Sequence, residues 1–108
     1  MRSAKILYKN AEAGILRQSD DGSFEFQYHK NWVEDISKPS ISLTLPKTNE
    51  TYRSEFLFPF FYNMLPEGTN KQTVCFNLRI DEKDHFGILM ATAKSDAIGA
   101  VRVVKFEE

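Results

Sequence analysis

The stretch SDDGSFEFQY, from Ser19 to Tyr28, contains the two signals that decide the fold. In its second half Phe24, Phe26 and Tyr28 alternate with polar residues, and this period of two is typical of a strand with one buried face. Its first half, Ser19 to Gly22, predicts a tight turn, because Asp tolerates the left-handed region and Gly takes a positive φ without steric cost. The stretch therefore predicts a turn that leads into a half-buried strand.

The residues before this turn predict two further strands. An apolar run begins at Ile6 to Tyr8, and a second run covers Gly14 to Arg17. The segment Asn10 to Gly14 between them has the composition of a turn, so the two runs are expected to pair as a hairpin. The start of the chain therefore predicts a three-stranded antiparallel meander.

The residues after the meander predict a helical turn, another strand and a loop. The helical turn covers His29 to Asp35 and carries Trp32. Apolar and polar residues then alternate in ISLTL, Ile41 to Leu45, which predicts a fourth strand that ends at Pro46. The polar segment that follows, up to Tyr52, is expected to be a loop.

The second half of the chain changes to a helical period. Ser54 is a candidate N-cap, and Phe56, Phe60 and Met64 then fall on one helix face, so a first helix is expected to run to Pro66. A second helix is predicted from Lys71 to Ile80, with Thr69 or Asn70 as its cap, and a third from about Asp84.

A closing strand is predicted in AVRVVKF, Ala100 to Phe106, where it is expected to pair with the meander. Together these elements predict an α+β fold: a small antiparallel sheet, made of the N-terminal meander and the C-terminal strand, packed with about three helices. At 108 residues the whole chain, 1–108, is expected to form a single domain.

Composition excludes several classes of function. Fourteen basic and fifteen acidic residues give a net charge of −1, so the chain is not expected to bind nucleic acid directly. One cysteine allows neither an internal disulfide nor a multi-thiolate zinc site. No secretory signal or apolar run of membrane-spanning length is present, and a cytoplasmic location is expected.

Residue types suited to catalysis are few. Asp84 and His85 are adjacent and could form an acid–base pair, but their charged setting at a predicted helix start favours a helix cap. Cys75 lies among apolar residues, which favours a small buried hydrophobe over a nucleophile. No motif of a nucleotide, metal or nucleophile site occurs. We therefore expect no catalytic residue, no metal and no cofactor; a small enzyme or ligand-binding module remains open, and turnover or a bound metabolite would support it.

The most unusual stretch is FLFPFFYNMLPEG, Phe56 to Gly68. It is more apolar than one helix face can bury in a small domain. Phe56, Leu57 and Phe60 are expected to fill the core beneath the sheet, which leaves the MLPEG end partly exposed. An exposed apolar patch of this kind marks a site for a partner protein.

Three motifs carry a family resemblance that extends over nearly the whole chain: SISLTLP (Ser40 to Pro46), FFYNMLPEG (Phe60 to Gly68) and HFGILMATAKSDAIGAVRV (His85 to Val103). In this order they resemble the N-terminal subdomain of HipA-type serine/threonine kinases, the toxins of bacterial toxin–antitoxin operons. Those kinases continue for several hundred residues that hold the ATP site, for which this chain has no room. The resemblance therefore implies similarity to HipS, the separately encoded antitoxin of a shortened kinase, HipT, in operons that also encode a DNA-binding protein, HipB.

The function implied by the resemblance is that of an antitoxin subunit that binds a HipT-like serine/threonine kinase and inhibits it. The alternative is an adaptor that bridges the kinase and a HipB-like DNA-binding protein and tunes operon repression. An excised piece of a full-length kinase also remains open. Relatives often carry an aromatic residue where this chain has Thr69, so the anchor here is expected to differ. The partner-binding residues implied are Met64, Leu65, Pro66, Glu67, Gly68, Thr69 and Asn70.

Overall fold

Five strands form one antiparallel sheet in the computed structural model, which describes residues 2–93 and 100–106. The order across the sheet is β4-β3-β2-β1-β5. The strands are β1 (Arg2–Tyr8), β2 (Ala11–Gln18), β3 (Phe24–Tyr28), β4 (Tyr52–Ser54) and β5 (Val101–Lys105). The helices are α1 (Lys30–Glu34), α2 (Pro59–Tyr62), α3 (Gly68–Leu78) and α4 (His85–Thr92). The predicted α+β class is confirmed, with four helices where about three were expected.

The predicted meander is confirmed, and it contains a bulge. β1 pairs with β2, and β2 pairs with β3, both antiparallel. The register shifts because Ile6 lies opposite Gly14 whereas Leu7 lies opposite Glu12, which leaves Ala13 as the extra residue on β2. Ala13 is fully buried, so the bulge adds a side chain to the core without breaking the sheet.

The predicted closing strand is also confirmed. β5 pairs antiparallel with β1, and Val103 lies opposite Ile6, both fully buried. The segment 94–99, which belongs to the third motif of the sequence analysis, lies outside the described residues.

The predicted fourth strand at Ile41 to Leu45 is wrong. This segment makes only an isolated bridge between Ser42 and Leu45. The hydroxyl of Tyr28 accepts a hydrogen bond from the Ile41 N–H and donates one to the Leu45 carbonyl, so a side chain occupies backbone groups that a strand would need. The fourth strand of the sheet is instead β4, in the segment expected to end a loop and begin a helix, where Tyr52 pairs with Phe26.

The predicted helix from Ser54 to Pro66 is also wrong in its extent, because α2 covers only Pro59–Tyr62. A proline disfavours helical backbone at the residue before it, and Phe58 is extended, with φ −57° and ψ 139°. The helix therefore begins at Pro59, and Ser54 ends a strand instead of capping a helix. The other predicted helices are present, although α3 begins at Gly68, with Glu67 and not Thr69 or Asn70 as its N-cap.

The core lies between one face of the sheet and the helices. Its largest fully buried side chains are Phe26, Phe61, Phe86, Ile6, Leu16, Ile88, Leu89 and Val103. Of the three residues expected to fill the core beneath the sheet, Leu57 is buried and Phe60 packs against the core in part. Phe56 is 76% exposed, so its assignment to the core is wrong. The predicted i, i+4 spacing with Phe60 does not apply, because Phe56 precedes the helix.

Candidate protein-binding surface

The segment that connects α2 to α3, residues 64–70, is called the tip here. Its first residues extend the turn of α2, since Met64 N–H donates to the Phe61 carbonyl at 3.0 Å and Leu65 N–H donates to the Tyr62 carbonyl at 3.1 Å. Gly68 then takes a φ of +58°, a value that suits glycine, and the chain turns into α3. The hydrogen bonds and the glycine together fix the shape of the tip.

The predicted partner-binding residues divide into two groups in the structure. Met64, Leu65 and Pro66 are turned inward to different degrees: Leu65 is only 9% exposed, and Met64 packs partly against the core. The other four are exposed; they are Glu67, Gly68, Thr69 and Asn70. The first group therefore anchors the tip to the domain, and the second group is accessible to another molecule.

A groove of about 230 Å³ runs along the tip. Its lining residues are Tyr62, Leu65, Pro66, Glu67, Gly68 and Lys71. Glu67 is the N-cap residue of α3, but its side chain makes no capping hydrogen bond, so its carboxylate is available to a partner. The groove thus combines apolar walls with one acidic and one basic side chain, which is the composition of a protein-binding site with a polar rim.

α3 presents an almost uncharged surface next to the tip, polar except for two exposed apolar side chains. Within the helix only Cys75 is buried, whereas Phe76 is 84% exposed and Leu78 is 53% exposed. Lys71 is the single charged residue among its eleven. A helix that faces water normally carries several charges, whereas depletion of charge and enrichment in aromatic residues are features of interface centres.

Phe76 is a surface residue to which the sequence pattern assigned no role. The pattern favoured a buried position for Cys75, and this is confirmed. The lack of charge on this helix was readable from the sequence alone. In a helix, residues three, four and seven positions apart lie on the same side. Phe76 therefore shares its side of α3 with Thr73, Gln72 and Thr69, all of which are exposed.

Two more exposed aromatic side chains extend this surface on the other side of the tip. Phe56 and Tyr62 line a second cleft of about 240 Å³, and Tyr62 borders the tip groove as well. The Tyr62 ring meets the imidazole of His85 edge to face, with ring centroids 5.3 Å apart. Tyr62 therefore connects the cleft that contains Phe56 with the groove at the tip.

The residues considered for catalysis have structural roles. One Asp84 carboxylate oxygen accepts a hydrogen bond from the Gly87 N–H at 3.1 Å, which caps α4, and Arg2 pairs with both oxygens at 2.6 and 3.0 Å. The hydrogen bond from Arg2 holds the pKa of Asp84 below its usual value. Cys75 is buried. Within residues 2–93 and 100–106, no three His, Cys, Asp or Glu side chains form a group that could hold a metal ion.

The same part of the chain contains no helix that is both long and apolar enough to cross a membrane. The described residues form a surface with three features: an apolar groove, a helix face with little charge, and three exposed aromatic side chains. In an α+β domain these features define a candidate protein-binding surface.

The chain belongs to the HipA N-terminal domain family, whose model matches residues 4–104. Among solved structures it is similar to the N-terminal domain of HipA toxin, with a TM-score of 0.74 and 30% sequence identity over the whole of this chain and 95% of that one. The resemblance inferred from the three sequence motifs is confirmed, and with it the relation to a toxin–antitoxin component.

Two protein relatives differ greatly in length. An uncharacterized protein of Haemophilus influenzae is 32% identical over 103 residues, which are 95% of this chain and 92% of that protein. The putative kinase Y4mE of Sinorhizobium fredii is 24% identical over 104 residues, and this chain spans only 24% of its length. The same domain therefore occurs in a protein of about its own size and in a protein about four times as long.

Proposed function

We propose that this chain is an antitoxin subunit that binds a HipT-like serine/threonine kinase in the cytoplasm and inhibits it without catalysing a reaction itself. The observation that carries the proposal is the exposed, uncharged face of α3 beside the tip, with Phe76 at 84% exposure. Leaving such a residue in water costs about 1.5–3 kcal/mol relative to burial, which a partner's apolar surface recovers.

The two relatives support a domain that occurs both as part of a longer protein and as a protein of about its own size. Where it forms part of a longer protein such as a putative kinase, its exposed face can pack within the same chain. Where it is the whole protein, as in the Haemophilus influenzae relative, that face is open to a separate protein. An antitoxin of this design binds its kinase with the contacts that the longer proteins make internally.

The proposed interface is centred on the tip and α3. A standard interface buries roughly 800 Å² on each partner, enough to cover the tip groove, the exposed face of α3 and Phe56. The family resemblance implies an aromatic residue where this chain has Thr69, and Phe76 lies two helical turns further on the same face. Phe76 therefore supplies the aromatic anchor, while Glu67 and Lys71 form the polar rim. Once docked, the domain blocks access to the kinase cleft or holds its loops inactive.

The test is inhibition of the kinase by the Phe76→Asp variant. Because Phe76 is exposed, the substitution should leave the domain folded, and loss of a central aromatic anchor should weaken binding by about 2 kcal/mol, or roughly 30-fold. Leu43→Asp is the matched control, since Leu43 is fully exposed and lies outside the proposed interface. Folding is checked by circular dichroism, and binding and kinase activity are measured for each variant.

Equal inhibition by wild type and Phe76→Asp would overturn the proposed interface. Leu65→Asp is not a suitable test, because Leu65 is buried and a charge there would unfold the tip.

The adaptor function remains the second candidate. It is favoured by one observation: Ile36 and Leu43, on the loop between α1 and β4, are 99% and 100% exposed and lie outside the proposed kinase interface. An adaptor would bind a HipB-like DNA-binding protein in the absence of the kinase and change kinase activity little. Size-exclusion chromatography of the domain with each partner separately distinguishes the two functions.

A further inference from the structure

A third cleft lies at the end of the sheet where β1 turns into β2. It has a volume of about 330 Å³, and it separates the β1–β2 turn from the loop that follows α1. We call it the Trp32 cleft. Its lining residues are Tyr8, Lys9, Ala11, Trp32, Ser37, Lys38 and Pro39.

Hydrogen bonds hold both walls of the Trp32 cleft in place. On the loop side, the indole N–H of Trp32 donates to the Pro39 carbonyl at 2.8 Å, and the Lys47 ammonium donates to the carbonyls of Asp35 and Lys38 at 2.8 and 2.6 Å. On the opposite side, Lys9 N–H donates to the Ala100 carbonyl at 2.9 Å. The cleft is therefore pre-formed, which lowers the conformational cost of binding.

The floor of the cleft is aromatic. The rings of Tyr8 and Trp32 meet edge to face with centroids 5.9 Å apart, and Trp32 is only 4% exposed. Ile36, one residue before the loop wall, is 99% exposed. An apolar side chain that enters the cleft would therefore find the Tyr8 ring and the small exposed part of the Trp32 ring below it.

The polar groups at the mouth of the cleft are basic. The Lys38 ammonium lies 5.2 Å from the Trp32 ring centroid and the Lys9 ammonium 5.8 Å from that of Tyr8. Neither lysine makes a salt bridge in the part of the chain that the structure describes. Asp35 is the nearby acid, and its carboxylate already accepts hydrogen bonds from the N–H and the hydroxyl of Ser37. Asp35 also interacts electrostatically with Lys38, so an anionic ligand would share Lys38 with Asp35 and would meet in Lys9 an ammonium group with no salt bridge among the described residues.

We propose that the Trp32 cleft is a second docking site, which binds an acidic peptide segment of a partner protein. An apolar side chain of that segment packs on Tyr8 and Trp32, and carboxylates on either side of it pair with Lys9 and Lys38. The site is distinct from the proposed kinase interface. The tip lies near Gln18, because Tyr62 and Gln18 line the same cleft, whereas Ala11 lines the Trp32 cleft at the other end of β2.

The experiment uses Trp32 as its reporter. Trp32 is the only tryptophan in the chain, so its fluorescence reports on this cleft and not on the tip. The probe is an N-acetylated, C-amidated dodecapeptide of Asp and Glu with Leu-Phe at its centre; a second peptide has Lys at every acidic position. We expect the acidic peptide to change the emission of Trp32 saturably, with a Kd below about 1 mM, and the lysine peptide to have no effect.

Charge-reversed variants complete the test. Lys9→Glu combined with Lys38→Glu should raise the Kd for the acidic peptide at least tenfold, whereas Lys83→Glu, next to Asp84 at the far end of the sheet, should leave it unchanged. Phe76→Asp should also leave it unchanged, which separates this site from the proposed kinase interface. No saturable change below about 1 mM, an equal response to both peptides, or an unchanged Kd in the double variant would overturn the proposal.

Discussion

Tyr28 is the residue that organises the long connection between β3 and β4. Its ring is buried, and its hydroxyl bonds to two backbone groups of that connection, the Ile41 N–H and the Leu45 carbonyl. Burial raises the pKa of the Tyr28 phenol, because the charged phenolate is disfavoured away from water. One side chain therefore does what a partner strand would otherwise do for the segment 41–45.

Tyr28→Phe is expected to destabilise the domain by about 1–3 kcal/mol, since it leaves a buried N–H and a buried carbonyl without a partner. Urea unfolding measures the change. Tyr52→Phe is the control, because the Tyr52 hydroxyl donates to the Pro46 carbonyl in an exposed setting, where water can replace it. A loss from Tyr28→Phe no larger than that from Tyr52→Phe would contradict this role.

The pH dependence of this residue has a definite sign. In the unfolded chain Tyr28 ionises near its ordinary pKa of 10.0, whereas the folded state keeps the proton to higher pH. As pH rises above 10.0, ionisation of Tyr28 stabilises the unfolded state first, and the free energy of unfolding of the domain therefore decreases. Comparing urea unfolding of wild type and Tyr28→Phe at about pH 8 and about pH 11 tests this, and the difference between the two proteins should shrink at the higher pH.

The sequence predicted the role of a residue correctly where that role depends on its neighbours in the chain. It did not predict exposure to solvent where exposure depends on how distant segments pack together. Asp84 as a cap and Cys75 as a small buried residue followed from their neighbours in the chain and are confirmed. Whether Leu65 or Phe76 reaches solvent depends on how the tip and α3 lie on the body of the domain. Spacing along one helix does not contain that information.

An ion pair joins β1 to the start of α4. Arg2 donates to both carboxylate oxygens of Asp84, and its guanidinium lies 5.2 Å from the centroid of the Phe86 ring. Asp84 also caps α4 through the Gly87 N–H. The side chain of Asp84 therefore joins the first strand to the start of the fourth helix.

Replacing Asp84 separates its two roles. An asparagine side chain at this position would still cap the helix, so Asp84→Asn should cost about 0.5–1 kcal/mol for the partly exposed ion pair, whereas Asp84→Ala should cost about 1 kcal/mol more through loss of the cap. The pKa of Asp84 is lowered in the folded state, so the contribution of the charge is present at neutral pH and is lost as pH falls below 3.8.

Urea unfolding at about pH 7 and near pH 2 checks both effects. The difference between wild type and Asp84→Asn should be present at neutral pH and close to zero at the acidic pH. A difference that does not change with pH would show that the ion pair contributes nothing.

Gly14, next to the bulge in β2, lies close to the backbone of β3. A Cβ atom at this position would overlap the carbonyl oxygen of Gln27 on the neighbouring strand. Gly14→Ala should therefore destabilise the domain by about 1–3 kcal/mol, since backbone must move to make room.

At Gly68 a Cβ meets nothing within 4 Å, and the cost of Gly68→Ala, about 1–2 kcal/mol, arises from its positive φ.

Amide hydrogen exchange separates the two glycine variants. Gly14→Ala should raise exchange along β2 and β3, and Gly68→Ala should raise it only at the tip and the start of α3. Exchange confined to the tip in both variants would contradict the close approach at Gly14.

The segment Ile41 to Leu45 shows that a sequence can alternate as strands do and yet not pair in the sheet. Ile41 to Leu45 alternates like a strand, but the edge position beside β3 is taken by Tyr52–Ser54. Three residues are too few to show a period of two, so β4 could not be read from the sequence. Alternation is a property of a segment, whereas pairing depends on which segment reaches the sheet edge.

At the scale of the whole molecule, the sheet separates the two proposed binding surfaces. β2 has eight residues, and at about 3.3 Å per residue its ends lie roughly 23 Å apart. The Trp32 cleft lies at the Ala11 end, and the cleft next to the tip lies at the Gln18 end. A domain built in this way can hold one partner at each end of the sheet.

This separation predicts that the two sites are independent. Roughly 23 Å is more than twice the Debye length of about 8 Å at physiological ionic strength, so charges bound at one end are screened from the other. The strands between them belong to one hydrogen-bonded sheet, and coupling the two sites would need an element with two discrete arrangements. The Kd of the acidic peptide should therefore change by less than about twofold when the domain is bound to the proposed kinase partner. Fluorescence anisotropy of a labelled peptide measures this directly with and without saturating kinase. Competition between peptide and kinase, or a larger change in Kd, would contradict the independence of the two sites.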